Sequence, residues 1–290
     1  MAGFSRITVI GVGLIGGSLA RALKAAGACE HIVGCGRNED NLRRAVELGV
    51  IDEYRLAPAE AVRGAELVMV CVPLGAMRRV FEAMAPGLDP GAIVTDAGSA
   101  KACVAEDARA VFADTRRVVP GHPIAGTEKS GVEASFEELY RRRRVILTPL
   151  AETEPAATAR VRALWEAAGA WVSEMSPEHH DEVLAATSHL PHLLAYGLVD
   201  TLARWEDQPE IFRYAAGGFR DFTRIASSDP VMWRDICLGN RDALLSVLER
   251  YMADVQMLHG LVRDGDGPAL ERVFRSANEA RAEFLRLLEQ

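Results

Sequence analysis

The chain predicts a doubly wound parallel α/β sheet in its first part and an all-α region in its second. Three observations carry this. A glycine-rich run, Gly11-Val12-Gly13-Leu14-Ile15-Gly16-Gly17-Ser18, lies between an apolar strand and a helix. Strand-like and helix-like patterns then alternate as far as Trp171-Val172, and alternation of that kind favours parallel strands joined by right-handed crossovers. After about Ser176 the strand signals stop and helical periodicity runs to Gln290.

In order, residues 7–10 form the apolar strand that enters the glycine run. Gly11 permits a tight turn, Gly13 keeps side-chain atoms away from a pyrophosphate, and Gly16 lets helix and strand pack closely. A helix N-terminus there presents free N–H groups to phosphate oxygens. G-x-G-x-x-G in this context is a Rossmann-type dinucleotide fingerprint. Gly11, Gly13, Leu14, Ile15 and Gly16 are therefore expected to hold a cofactor. The helix is expected over 19–26, a second strand over 31–35 and a helix over 38–48 ended by Gly49. Further strands are expected over 67–72, 92–95, 118–119, 145–148 and 170–172, with helices over 77–84, 102–112 and 158–168. Ligands bind beyond the carboxyl ends of such strands. Three loops should face one crevice: Pro73-Leu74-Gly75, Asp96 to Lys101, and the segment from Gly121 to Gly131. Val72, Pro73 and Ser99 should border the cofactor.

The third loop, Gly121-His-Pro-Ile-Ala-Gly-Thr-Glu-Lys-Ser-Gly131, reads as a turn. It gathers an imidazole, hydroxyls, a carboxylate and an ammonium. A histidine titrating near neutrality is suited to taking a proton from a hydroxyl. Arg141 to Arg144 reads as a solvated charge run ahead of a strand.

In the helical part, Pro177-Glu-His-His-Asp181 looks like a helix start. That helix continues through Ser188-His-Leu-Pro-His192, with a kink expected at Pro191. His189 and His192 share a face if the helix is unbroken. Such a pair serves as packing, as a metal site, or as an anion or substrate site, and the sequence offers no third metal ligand. Gly217-Gly-Phe-Arg-Asp-Phe-Thr-Arg224 ends in a guanidinium suited to a carboxylate. One long or broken helix is expected over 230–262, carrying more apolar positions than a small helical domain covers, which points to a subunit interface. The expected division is 1–175, the dinucleotide-binding domain, and 176–290, a helical substrate-binding and dimerisation domain.

Composition narrows the function. With 290 residues, 49% hydrophobic and 26% charged, the chain reads as globular, and its net charge of −8 argues against nucleic acid or an anionic membrane as partner. No apolar run approaches a membrane span, and Met1 to Arg6 lack a signal peptide. Five scattered cysteines predict reduced thiols in the cytoplasm, and neither disulfides nor a metal site.

Four motifs together resemble the prephenate and arogenate (cyclohexadienyl) dehydrogenases of tyrosine biosynthesis: the glycine run, Asp96-Ala-Gly-Ser99-Ala-Lys101, the His122 loop, and Ser188-His-Leu-Pro-His192. Gly218 to Ala226 supports them, and the likeness covers nearly the whole chain in the plain two-domain form. The resemblance implies oxidative decarboxylation with hydride transfer to NAD(P). It implies His122 as proton acceptor and Ser99 as its orienter beside the nicotinamide. Arg224 and His192 would bind substrate, with His189 in support, and Thr127 and Glu128 would line the entrance. Trp233 would reach the site from the partner of a homodimer. A β-hydroxyacid dehydrogenase shares this plan but typically uses a lysine after the sheet domain, and none occurs from Ser176 to Gln290. A non-enzymatic dinucleotide sensor needs no proton acceptor.

Cofactor choice turns on the end of the second strand. NAD-binding domains commonly place an acid there, about 20 residues beyond the glycines. Here Cys35-Gly36-Arg37-Asn38 contains none. Gly36 leaves room for a 2′-phosphate, Arg37 is placed to pair with it and Asn38 to donate a hydrogen bond, so NADP is expected over NAD. The alternative is that Arg37 is merely exposed and NAD binds through backbone groups.

Overall fold

The computed structural model describes residues 3–127, 129–205 and 208–288. Its main sheet starts with Phe4–Ile10 (β1). Parallel to it run Cys29–Cys35 (β2), Glu53–Arg55 (β3), Leu67–Val70 (β4), Ile93–Asp96 (β5) and Val118–Val119 (β6), in the order β3-β2-β1-β4-β5-β6. Helices Leu14–Ala25 (α1), Glu39–Glu47 (α2), Pro58–Ala61 (α3), Met77–Met84 (α4) and Ala102–Val111 (α5) connect successive strands. A sheet covered on both faces needs strands apolar throughout. Leu67-Val68-Met69-Val70 meets that, every residue buried. One apolar cluster, including Ile7, Leu19 and Trp165, lies apart from another that includes Val68, Phe81 and Val104. Strand order reverses between β1 and β4, where a doubly wound sheet opens its ligand crevice.

Several expectations change. α1 starts at Leu14, not residue 19, because the glycines themselves wind into the helix. A Cβ at Gly16 would stand 2.4 Å from the Gly11 carbonyl oxygen, so only glycine lets the first turn close this tightly. β3 and α3, short and weakly patterned, were not expected. The later strands do not extend the main sheet. Gly121–Pro123 (β7), Arg144–Leu147 (β8) and Trp171–Glu174 (β9) form a separate three-stranded sheet, β7 antiparallel to β8 and β8 parallel to β9. Pro120 separates β6 from β7. It has no N–H with which to continue a ladder, and its carbonyl accepts instead from Thr148 N at 2.8 Å. His122 thus sits in a strand, opposite Ile146, and not in a loop. Helix Pro155–Ala167 (α6) joins β8 to β9. Arg141 to Arg144 are exposed, as a solvated run should be.

The helical part begins with Pro177–Leu184 (α7), capped by the Ser176 hydroxyl, which accepts from His179 N. A π-helical turn, Ala185–His189, follows, then Leu190–Ala203 (α8). The disturbance expected at Pro191 therefore falls one turn earlier. A wider turn gives room to the ring and does not demand the missing N–H. Next come Gln208–Arg213 (α9), Gly217–Thr223 (α10), Pro230–Gly239 (α11), Arg241–Asp264 (α12) and Gly267–Leu288 (α13). The helix expected over 230–262 breaks at Asn240.

By compactness the chain divides after Arg241, so α7 to α11 pack in one unit with the sheets. The reason is visible at α7 and α11. Asp181 bonds the start of α5, and a Cβ at Gly75 would meet the Asp235 carboxylate at 2.5 Å. The second unit, from Asp242, consists of most of α12 together with α13. It exposes Met252, Val262, Phe274 and Leu287. Among the described residues no helix is long and apolar enough to cross a membrane.

Candidate active site

The first part of the site is backbone. Gly11 adopts φ +96°, and a Cβ there would lie 2.2 Å from the Cys71 carbonyl oxygen. Strain and collision both exclude other residues. Gly13 is the N-cap of α1 with no side-chain cap, and a Cβ on it would touch nothing within 4 Å. It therefore faces open space, as a position that must admit phosphate should. Leu14 is buried and Ile15 half-buried, fixing the first turn, while Tyr140 Oη donates to the Ile15 carbonyl at 2.6 Å. The N–H groups of that turn lie beside Val72 and Pro73 at the end of β4. This cradle fits a dinucleotide pyrophosphate.

The second part is a buried clamp around Gly121. Asp96, at the end of β5, takes the Gly121 N–H on Oδ1 at 3.1 Å and that of Gly98 on Oδ2 at 2.7 Å. Lys101, fully buried, donates to Asp96 Oδ2 at 2.5 Å and to the Gly121 carbonyl at 2.7 Å. Both polar ends of Gly121 are thus held by one ion pair, which fixes the neighbouring His122.

His122 Nδ1 lies 2.9 Å from His180 Nε2, and His180 Nδ1 lies 2.8 Å from Asp181 Oδ1. Asp181 also accepts from Lys101 N at 2.8 Å and Ala102 N at 2.9 Å. His180 and Asp181 are buried. Burial holds His122 well below the usual imidazole range, helped by the positive charge of His180, Lys101 and His189. Burial lowers His180 too, against the pull of Asp181. A neutral His122 at physiological pH is available as a base.

The third part is apolar with a few polar atoms. His192 stacks on Trp233, ring centroids 3.5 Å apart and planes at 17°. His189 meets the same indole edge-on at 6.2 Å. The Ser188 carbonyl accepts from His192 Nδ1 at 2.9 Å, so Nε2 carries the lone pair. Asn240, placed by the break between α11 and α12, donates to the Asp181 carbonyl at 2.8 Å and to His189 Nδ1 at 3.0 Å. Burial lowers His189 to about 4, with nearby Asp181 and the Ser99 carbonyl pulling the other way. His189 Nε2 and Trp233 Nε1 are buried without a hydrogen-bond partner among the described residues. Unpaired buried donors are costly and mark a place for a polar ligand. Arg224 opens the turn Arg224–Ser227 and is exposed. It stands close enough to His192 to lower that imidazole further, after burial.

The expected residues meet different fates. His122, His189, His192, Trp233 and Arg224 converge on one region. Ser99 is half-buried between Asp96 and Lys101, but it does not hold His122; His180 does. Trp233, expected from a partner, lies against the histidines of its own chain. Thr127 is exposed and its hydroxyl accepts from Lys129 N. Glu128 lies outside the described residues. His180, Asp181 and Asn240 were not anticipated. Their sequence signal was only a helix start and a helix interior. At the cofactor end, Asn38 caps α2 by accepting from Asn41 N at 3.0 Å, and Arg37 is exposed. A Cβ on Gly36 would find only Leu42, at 3.7 Å.

Comparison with known proteins identifies this architecture. Residues 19–174 match the model of the prephenate dehydrogenase nucleotide-binding domain, and residues 176–276 that of the prephenate dehydrogenase dimerization domain. A cyclohexadienyl dehydrogenase of Zymomonas mobilis is 42% identical over 280 residues, covering 96% of this chain and 95% of that protein. The prephenate dehydrogenase of Aquifex aeolicus, solved with hydroxyphenyl propionate and NAD+, superposes with a TM-score of 0.89 at 38% identity, over 97% of this chain and 98% of that one. Synechocystis arogenate dehydrogenase gives 0.83 at 30% identity, over 96% and 99%. With its glycine cradle and its buried histidine at the head of the second sheet, the chain belongs to the prephenate dehydrogenase family.

Proposed function

We propose that this chain oxidatively decarboxylates prephenate, arogenate or both in tyrosine biosynthesis, with NAD(P) as the hydride acceptor. Prephenate is a cyclohexadiene bearing a carboxylate and, on the opposite carbon, a hydroxyl. Loss of hydride from that carbon and of CO2 from the other makes the ring aromatic. The observation that carries the reading is a buried, neutral His122 whose Nδ1 is already engaged, leaving Nε2 to take the hydroxyl proton. Arg224 binds a substrate carboxylate. His192 and Trp233 flank the ring, and the unpaired donors of Trp233 and His189 receive polar groups of the substrate. Thr127 and Glu128 line the entrance. When bound, the dinucleotide supplies the oxidising nicotinamide, and Gly11, Gly13, Leu14, Ile15 and Gly16 hold its pyrophosphate, with Val72, Pro73 and Ser99 along its edge.

NADP is the proposed preference. Gly36 leaves space where a carboxylate would repel a 2′-phosphate, and Arg37 and Asn38 stand beside it. Glu39 is turned to Tyr54, whose hydroxyl donates to it at 2.9 Å. The Aquifex relative was solved with NAD+, so the preference is this chain's own question. Residues 176–290 are proposed as the part that binds substrate and joins two subunits, and light scattering at micromolar concentration should give a dimer mass. The deciding assay mixes the protein with prephenate or arogenate and each dinucleotide, and follows reduced nicotinamide. No turnover of either substrate would defeat the proposal, and a higher kcat/KM with NAD would defeat its cofactor part.

A further inference from the structure

We infer that Asp181 and His180 are positioning residues that fix the proton of His122 on Nδ1 and so make Nε2 its basic atom. The inference deepens the reading of His122 as base and rests on it. It begins at Asp181, whose carboxylate oxygens both face backbone donors: Lys101 N on Oδ1 and Ala102 N on Oδ2. Oxygens occupied this way act as acceptors, so the third contact, His180 Nδ1 on Oδ1, carries its hydrogen on the imidazole. A neutral His180 with its proton on Nδ1 has a lone pair on Nε2. That atom lies 2.9 Å from His122 Nδ1, and a hydrogen bond there requires His122 to donate. The partner of one ring nitrogen decides the state of the other.

The same chain of bonds handles the proton once it arrives. The substrate O–H bond breaks and an N–H bond forms at His122 Nε2, while hydride leaves the same carbon for the dinucleotide. The new positive charge is shared with the His180 lone pair through Nδ1–H, and His180 in turn leans on the Asp181 carboxylate. The other charged or titratable groups near His122 are Lys101, from the turn before α5, and His189, from the π turn. Lys101 is neutralised by Asp96 and His189 is held by Asn240, so neither takes that role.

Long-range proton–nitrogen NMR of protein labelled with 15N-histidine, near neutral pH, reads the tautomers directly. Signals are assigned by their loss in His122→Asn and His180→Gln. Both imidazoles should carry hydrogen on Nδ1, and hydrogen on Nε2 of His122 would overturn the inference. In kinetics, His180→Leu should lower kcat by about 10- to 100-fold, the cost of one charge-assisted hydrogen bond. KM and dinucleotide affinity should hardly move. His180→Gln, whose amide oxygen can accept from His122, should recover most of the loss. A raised KM with unchanged kcat, or two variants as active as the parent, would overturn the positioning role while leaving His122 as base. Normal turnover by His122→Asn would instead remove the base, with the tautomers still readable. If His180→Leu does not fold, the glutamine variant and the parent's spectra decide.

Discussion

Around Gly11 to Gly16 the chain offers its backbone: free N–H groups, a φ of +96°, and positions where a Cβ has either no room or no neighbour. Around His122 it offers side chains, delivered by β7, α7, the π turn, α8 and α11. The first site is made within six consecutive residues and depends little on the rest of the fold. The second exists only when distant segments arrive together, and each arrival is secured by hydrogen bonds that take no part in chemistry. Lys101 and Asp96 hold Gly121, Asp181 holds the start of α5, and Asn240 holds His189. A site made of backbone should fail through shape, and one made of side chains through chemistry and charge.

The sharpest test of that contrast is His122→Asn. It should cut kcat by roughly 10²- to 10⁴-fold, the range for losing a general base, with dinucleotide affinity unchanged by calorimetry. A matching loss of affinity would show that the two regions are not separable. Arg224→Ala should come next, raising KM for the substrate about 10- to 100-fold, as loss of a charge-assisted contact does, while kcat holds. An unchanged KM would remove Arg224 from the substrate site.

Within the glycine cradle two neighbours should behave oppositely. Gly11→Ala forces a strained backbone into the Cys71 carbonyl and should cost about 1–3 kcal/mol of stability, read from denaturant melts. Gly13→Ala has room and should melt like the parent, yet bind dinucleotide roughly tenfold more weakly, a change of about 1.4 kcal/mol. Equal melts for both would mean that shape does not separate them.

The smallest expected effect is in pH. His189 titrates at about 4 when folded, against 6.5 ordinarily. Because its folded value is depressed, the unfolded chain binds the proton first. His189 should therefore contribute a loss of stability as pH falls from 6.5 towards 4, and no further loss below that. In His189→Gln the melting temperature should fall less over this window, and an identical slope would show that His189 does not titrate as its burial implies. The catalytic base obeys the same sign. With His122 held low by burial, the acid limb of kcat/KM should lie below 6.5.

The contrast also explains what could be read in the sequence. Gly49 stopping α2, the acids opening it and the glycine fingerprint are local, and the chain's spacing displays them. The departure of β7 from the main sheet was not legible, because it hangs on Pro120 and on a pairing with β8 more than twenty residues on. His180 and Asp181 read as an ordinary helix start, since their partners lie 58, 79 and 80 residues away. Ser99 was assigned the orienting task because it shares a motif-bearing loop with the crevice, whereas the atom that reaches Nδ1 comes from α7. His189 and His192 were correctly suspected as a pair. What joins them, Trp233 and Asn240, became visible only once α11 was laid beside them.

The π turn at Ala185–His189 has a consequence for inheritance by insertion and deletion. Such a turn holds one residue more than the α turn it replaces, and each residue of an α-helix advances the chain by about 100° around its axis. Deleting Ala186 would let α7 run straight into α8. Everything beyond would then turn by that angle relative to His180, carrying His192 off the face of Trp233. A lineage of this fold can therefore exchange most side chains along this helix one at a time, but it cannot gain or lose a single residue between Asp181 and His189 without dismantling the site.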